Sequence, residues 1–169
     1  MTVPFPEPTT PAGSQTEVFL RYLGYFRGRL AGKLRELPPG ELRTSRLPSG
    51  WTPLELLRHL TYVERRWLEW GFDGRAVGDP WGDQRDGRWY VPPPETLDDL
   101  LAALAEQAER STAIIESHDL GEVGEPGERW SGHPPATLGR VLLHLLLEYA
   151  RHLGQLDIVC ELAGGPTGE

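Results

Sequence analysis

Three metal-binding side chains occupy positions where a helix would otherwise be apolar: His59 in WTPLELLRHLTYVERRW, and Glu148 and His152 in LLHLLLEYARHLGQLDIV. Burying a polar or charged group is costly unless it is hydrogen-bonded, paired or bound to a metal. Residues four apart on a helix lie one turn along the same face, with β-carbons about 6 Å apart, so Glu148 and His152 can reach a single ion. A third ligand has to come from another helix, and His59, about two turns into its own, can supply it. Two imidazoles and a carboxylate leave at least one coordination position open, the arrangement of a catalytic rather than a structural zinc site. Harder divalent metals accept the same donors. Spacing alone also fits a plainer alternative, with His59 and His152 as hydrogen-bonded core histidines and Glu148 as a partly exposed acid near Arg151 or Arg140.

His144 lies one turn before Glu148, about 40° around the helix, and three roles stay open for it. It can support a ligand from behind, face the substrate as an acid or base, or act as a fourth ligand. Gln155 is within hydrogen-bonding reach of the same region, whereas Asp157 is expected to cap or pair on the outer face. His118 and His133 fall at a helix end and in a loop, where surface roles dominate. Cys160 sits near a helix C-terminus, about 80° around from His152, and lacks the helix N-terminus or neighbouring base that activates a thiol. It is read as a packing residue. Trp81 and Trp89 are loop anchors or walls of a pocket over the metal. Arg65, Arg66, Arg85 and Arg88 form a solvated face or hold an anionic substrate.

Four amphipathic segments must position these groups. The first runs from about Ser14 to Leu37, with Phe19, Tyr22, Leu23, Phe26, Leu30, Leu34 and Leu37 on one face. Gly24, Gly28 and Gly32 weaken it, though their spacing of four also suits close packing, and Pro38-Pro39-Gly40 ends it. The second opens on a capping box, Thr52 with Glu55 and Pro53 at the first position, and carries an inward row of Leu56, His59 or Leu60, Val63, Trp67 and Trp70 before ending near Gly71 to Gly74. The third opens at Thr96 with Asp99, buries Leu97, Leu100, Leu101, Leu104, Ala108 and Ile115, and leaves its Glu/Gln/Arg face to solvent. The last is capped by Thr137 and presents Leu138, Val141, Leu145, Glu148, His152, Gln155 or Leu156, Val159 and Leu162. Two long connections, about 73–95 and 119–135, are rich in Gly, Pro and Asp; the former covers or forms a binding site, or is a crossover joining distant helix ends. No alternation of strand type extends over any length. The pattern predicts an all-α four-helix bundle with long connections, a flexible N-terminal arm over 1–13 and a single domain over 14–169.

Composition narrows the function classes. The 169 residues carry a formal charge of -8, which argues against a nucleic-acid or anionic-membrane surface, because both partners need a basic footprint. No apolar run approaches a membrane span, and the start of the chain lacks the basic and apolar regions of a signal peptide, so a cytoplasmic protein is expected. One cysteine excludes an internal disulfide and a multi-cysteine zinc knuckle. A metal therefore has to use histidine and carboxylate.

The segments LLRHLTYVERRWLEW and LLHLLLEYARHLGQLDIV resemble the two signature helices of the DinB/YfiT-like superfamily of metal-binding four-helix bundles, and are most similar to the actinobacterial subfamily that includes mycothiol-dependent S-transferases. The resemblance spans about residues 15–168. It implies a divalent metal, usually zinc, with nickel, manganese or iron as alternatives, held by His59, Glu148 and His152. Many relatives have histidine where this chain has Glu148, although the mycothiol-dependent maleylpyruvate isomerase is similar in using glutamate. The activity that the resemblance implies is that of a transferase joining a low-molecular-weight thiol, mycothiol or else bacillithiol, to a small electrophile through a metal-bound thiolate. Isomerisation of maleylpyruvate is disfavoured, because that relative carries an additional C-terminal domain. Two other classes stay in view: a metal-dependent hydrolase of a small molecule, and a non-catalytic stress protein that binds metal or ligand. By family analogy the chain forms a homodimer.

Overall fold

The computed structural model describes residues 4–165, and within them the four expected helices form: α1 (Gln15–Glu36), α2 (Pro53–Glu64), α3 (Leu97–Glu116) and α4 (Leu138–Leu162). Met1 to Val3 of the expected arm and 166–169 at the end of the expected domain lie outside the described residues. Side-chain caps start three of the helices. Ser14 accepts from the Glu17 amide, and Thr52 with Glu55 and Thr96 with Asp99 make complete capping boxes. Thr137 is the N-cap of α4 but makes no side-chain cap bond.

The helices pack as a ring in the order α1, α4, α2, α3. Helices consecutive in the chain, α1 with α2 and α3 with α4, therefore lie across the bundle from one another, which explains the lengths of segments 37–52 and 117–137. The first of these is a third long connection, additional to the two read from sequence. Segment 73–96 joins neighbours, so its length needs a different reason. It carries a two-residue hairpin, β1 (Gln84–Arg85) and β2 (Arg88–Trp89). Residues 4–13 run back along α1, with the Phe5 ring edge-on to Tyr22 and Tyr25 at 5.8 and 5.1 Å. Among the described residues, no helix is long and apolar enough to cross a membrane.

The core is largely leucine, from Leu23, Leu30 and Leu34 of α1 to Leu142, Leu145 and Leu156 of α4. Several inward rows differ from the sequence reading. Residues Arg65–Phe72 continue α2 as a π-helical segment, and the wider turn rotates the side chains beyond it. Arg66, Leu68, Glu69 and Phe72 become buried, while Trp67 and Trp70 stay partly exposed. On α3, Gln107 and Ser111 point inward rather than to solvent. On α4, Tyr149 is fully buried, Glu148 sits on the flank, and Leu162 is exposed. Gly24 and Gly32 face open space, so they do not serve close packing.

Glu64 is fully buried at the centre of the bundle. Arg27 of α1 donates two bonds to its carboxylate at 2.8 and 2.7 Å, Ser111 of α3 one at 2.7 Å, and Tyr149 of α4 one at 2.5 Å. Burial, with the Glu64 charge adding to it, pushes the Tyr149 hydroxyl well above its ordinary range, so it remains a donor. The Tyr149 ring also stacks on Phe26. Removing one donor from a buried charge costs about 1.5–3 kcal/mol. Tyr149→Phe keeps the ring and loses only the hydroxyl, and is expected to lower the unfolding free energy by about 2 kcal/mol in urea titrations. Glu64→Ala, which leaves the Arg27 cation buried without its counterion, is expected to cost about 3–5 kcal/mol.

Candidate metal centre

The capping box at Thr52 sets the start of α2, and His59 projects from its second turn towards α4. There it meets Glu148 and His152. One ligand atom from each of the three side chains lies within 4.8 Å of the others. Glu148 Oε2 is 3.2 Å from His152 Nε2 and 4.0 Å from His59 Nε2. A tetrahedral ion with bonds of about 2.1 Å separates its ligand atoms by about 3.4 Å, so the group is near the span that zinc requires.

The outer face of each imidazole is already held. His59 Nδ1 donates to Asp83 Oδ2 at 3.0 Å, and His152 Nδ1 donates to Gln155 Oε1 at 2.8 Å. Both acceptors fix the proton on Nδ1 and leave the Nε2 lone pair turned towards Glu148, the tautomer a metal ligand needs. Burial lowers the His152 pKa; the Gln155 bond opposes this, and the nearby His59 reinforces it. The donor set and its orientation thus fit a divalent cation on grounds independent of spacing. The His152 and His59 side chains are 4% and 12% exposed, whereas Glu148 is 20% exposed and marks the open side.

Asp83 is the residue the sequence reading missed. It is fully buried and also takes two bonds from the Arg66 guanidinium, at 2.6 and 3.1 Å. Burial opposes its ionisation, but the bonds from His59 and Arg66 outweigh that and hold its carboxyl below the usual range. Arg66 is therefore neither a solvated surface arginine nor free to hold an anion, as either sequence reading had it. The hairpin does the placing. Asp86 and Gly87 both have positive φ, the two-residue turn that matches strand twist, and pairing of Gln84 with Trp89 returns the chain beside Asp83. Trp89 then stacks on His59 with centroids 4.2 Å apart and meets His152 edge-on at 5.3 Å. The Asp-Gly pair was the available sequence signal. Segment 73–95 is thus a cover over the histidines rather than a simple crossover.

The remaining candidates separate clearly. His144 is 41% exposed, with Nε2 3.8 Å from Glu148 Oε1, outside the three-ligand group and beside its open edge. Its ring contacts Trp67 at 4.5 Å. Trp81 is half-exposed and packs against Trp70 and Arg66, so of the two loop tryptophans Trp89 alone walls the histidines. Asp157 pairs with the buried Lys33 of α1. Cys160 is fully buried, and burial pushes its thiol pKa up, as an inert packing residue requires. His118 bonds the Ile114 carbonyl, and His133 is exposed in a loop. Arg85 lies over the Tyr90 ring.

Comparison with known proteins agrees with this architecture. A crystal structure of a DinB-like protein from Bacillus cereus ATCC 10987 superposes with a TM-score of 0.62 over 89% of this chain and 94% of that one. At 16% identity this likeness concerns the fold alone. No curated protein matches the chain. The family model for mycothiol-S-transferase matches residues 18–165, nearly the whole described structure. The four-helix bundle with its His59, Glu148 and His152 cluster therefore belongs to the mycothiol-S-transferase family.

Proposed function

We propose that this chain is a divalent-metal-dependent transferase that joins a low-molecular-weight thiol, with mycothiol as the first candidate and bacillithiol as the second, to a small electrophile. The observation that carries the reading is the convergence of two Nε2 lone pairs and one carboxylate oxygen, each imidazole locked from behind. Family membership supports the class of reaction. Zinc suits the His₂Glu donor set best, with nickel, manganese or iron as alternatives. When bound, such a cation favours loss of a proton from a thiol at its open position, making thiolate available at neutral pH.

The chain's own groups do the rest. His59, Glu148 and His152 hold the cation, and Asp83 and Gln155 keep both imidazoles in the binding tautomer. Trp89 covers the histidines on one side and keeps water from that face. His144, beside the exposed edge of Glu148, accepts the proton released by the incoming thiol. The sulfur then attacks the electrophilic carbon, a C–S bond forms, and the leaving group departs with its electron pair. A thiol co-substrate has to be kept reduced, which assigns the reaction to the cytoplasm.

Three outcomes test this reading. Elemental mass spectrometry on protein purified without chelator or added metal is expected to find about one divalent ion per chain, and His152→Ala to lose it; a folded wild type that takes up no zinc overturns the metal centre. Asp83→Asn is expected to weaken metal affinity about 10–100-fold against a chromophoric chelator, because the imidazole loses its charged partner. Turnover of an activated aryl halide by metal-loaded protein is expected to require mycothiol and to vanish in Glu148→Gln. Equal turnover without any thiol would favour hydrolysis, and tight metal binding without turnover a binding protein.

A further inference from the structure

Arg129 is half-buried and differs from four other arginines, each of which meets a carboxylate. Arg27 is paired with Glu64, Arg58 with Glu95, Arg66 with Asp83 and Arg110 with Glu69. Among the described residues no carboxylate lies within ion-pair distance of Arg129, and its Nε is buried without a hydrogen-bond partner. Its guanidinium lies over the Trp67 ring, 3.8 Å from the centroid. Stacking of this kind accounts for the orientation of the side chain but leaves the donor atoms unused. Burial and the nearby Arg66 charge both lower its pKa.

The seat of Arg129 is built into the fold. It lies in a single 3₁₀ turn, Glu128–Trp130, pinned by the Trp130 indole donating to the Glu125 carbonyl at 2.9 Å. Glu125 is pinned in turn by its amide bond to Phe72 O at 2.8 Å. Gly71 permits the close approach: a β-carbon there would stand 3.1 Å from Arg66 O and 3.3 Å from Arg129 Cγ. From this seat a continuous path of contacts leads to the metal ligands. Arg129 covers Trp67, the Trp67 ring touches His144 at 4.5 Å, and His144 Nε2 is 3.8 Å from Glu148 Oε1.

We infer that Arg129 is the anchor for a carboxylate on the acceptor substrate, so that the site takes small anionic electrophiles with an apolar or aromatic body. The inference rests on the reading of the metal centre as the place of reaction. A planar guanidinium fork matches a carboxylate with two parallel bonds, and the absent counterion leaves that capacity unspent. The part of the Trp67 indole that Arg129 and His144 leave exposed offers an apolar surface for the body of the substrate. Holding the carboxylate at Arg129 also has a chemical consequence. A free carboxylate would compete with the thiol for the open position on the cation, and an arginine on the flank draws it away.

The test uses the full chain without metal, so that no probe can coordinate a cation. Benzoate and its uncharged isostere benzamide are titrated while the arginine side-chain Nε–Hε signals are followed by NMR. The Arg129 signal is the one missing from both Arg129→Gln and Arg129→Lys. Benzoate is expected to move that signal saturably and to bind about tenfold more tightly than benzamide, the size of one charge-assisted contact. Arg129→Gln is expected to erase the preference, and Arg129→Lys to retain part of it. Equal binding of the two probes to the wild type, no saturable benzoate shift, or a preference that survives in Arg129→Gln overturns the inference. In metal-loaded protein, thiol-dependent turnover with equal KM for a carboxylated aryl halide and its amide overturns it too, while leaving the transferase reading standing. A benzoate site in a protein without thiol-dependent turnover does the reverse.

Discussion

A carboxylate buried in an apolar bundle loses its hydration, at a cost of several kcal/mol, and folding is favourable only if the protein returns equivalent hydrogen bonds and countercharge. Glu64 imposes that condition here. Its partners come from α1, α3 and α4, one helix each, so all four helices meet at one group. Leucine faces can slide or rotate past one another at little cost, whereas hydrogen bonds weaken steeply with angle. The network therefore sets the rotation of each helix about its axis. For α4 the consequence reaches the candidate metal centre directly, because Tyr149 follows Glu148. The rotation that delivers the Tyr149 hydroxyl to Glu64 also leaves Glu148 on the flank, half-turned to solvent between His144 and His152.

The second buried carboxylate, Asp83, ties the connecting loop to the bundle. Segment 73–96 is longer than a link between neighbouring helices needs, and its surplus length carries Asp83 and Trp89 over the histidines. Arg66 makes this attachment stable. The π-helical turn after Glu64 rotates Arg66 inward, where it neutralises Asp83. A regular helix would have continued the row through Trp67. The wider turn thus exchanges an aromatic core position for a cation under the loop, and leaves Trp67 free to lie between His144 and Arg129.

Much of this was legible beforehand because it rests on neighbours in the chain. Helix starts follow from caps three residues long, and the Thr52 and Thr96 boxes form as their residues indicate. The Glu148 and His152 pair follows from one helical turn. Errors arose where the period changed or a polar residue was assumed to be wet. A regular period extended across the π-helical segment puts Trp67 and Trp70 inward, and its polarity puts Gln107 outward, although it bonds Ser111 beside Glu64.

By itself the sequence determined four helices, the capping boxes that start two of them, and which three side chains have metal-binding chemistry at spacings that let them share one ion. Local hydrogen bonding and helical periodicity suffice for these. Tertiary structure alone decided which charges meet. Glu64 lies 37 residues from Arg27 and 85 from Tyr149, and Asp83 lies 24 from His59. Such pairings depend on how the helices rotate and where a loop returns, and no spacing along the chain encodes them. The same holds for Arg129, which among the described residues lies over Trp67 with its Nε buried and unpartnered.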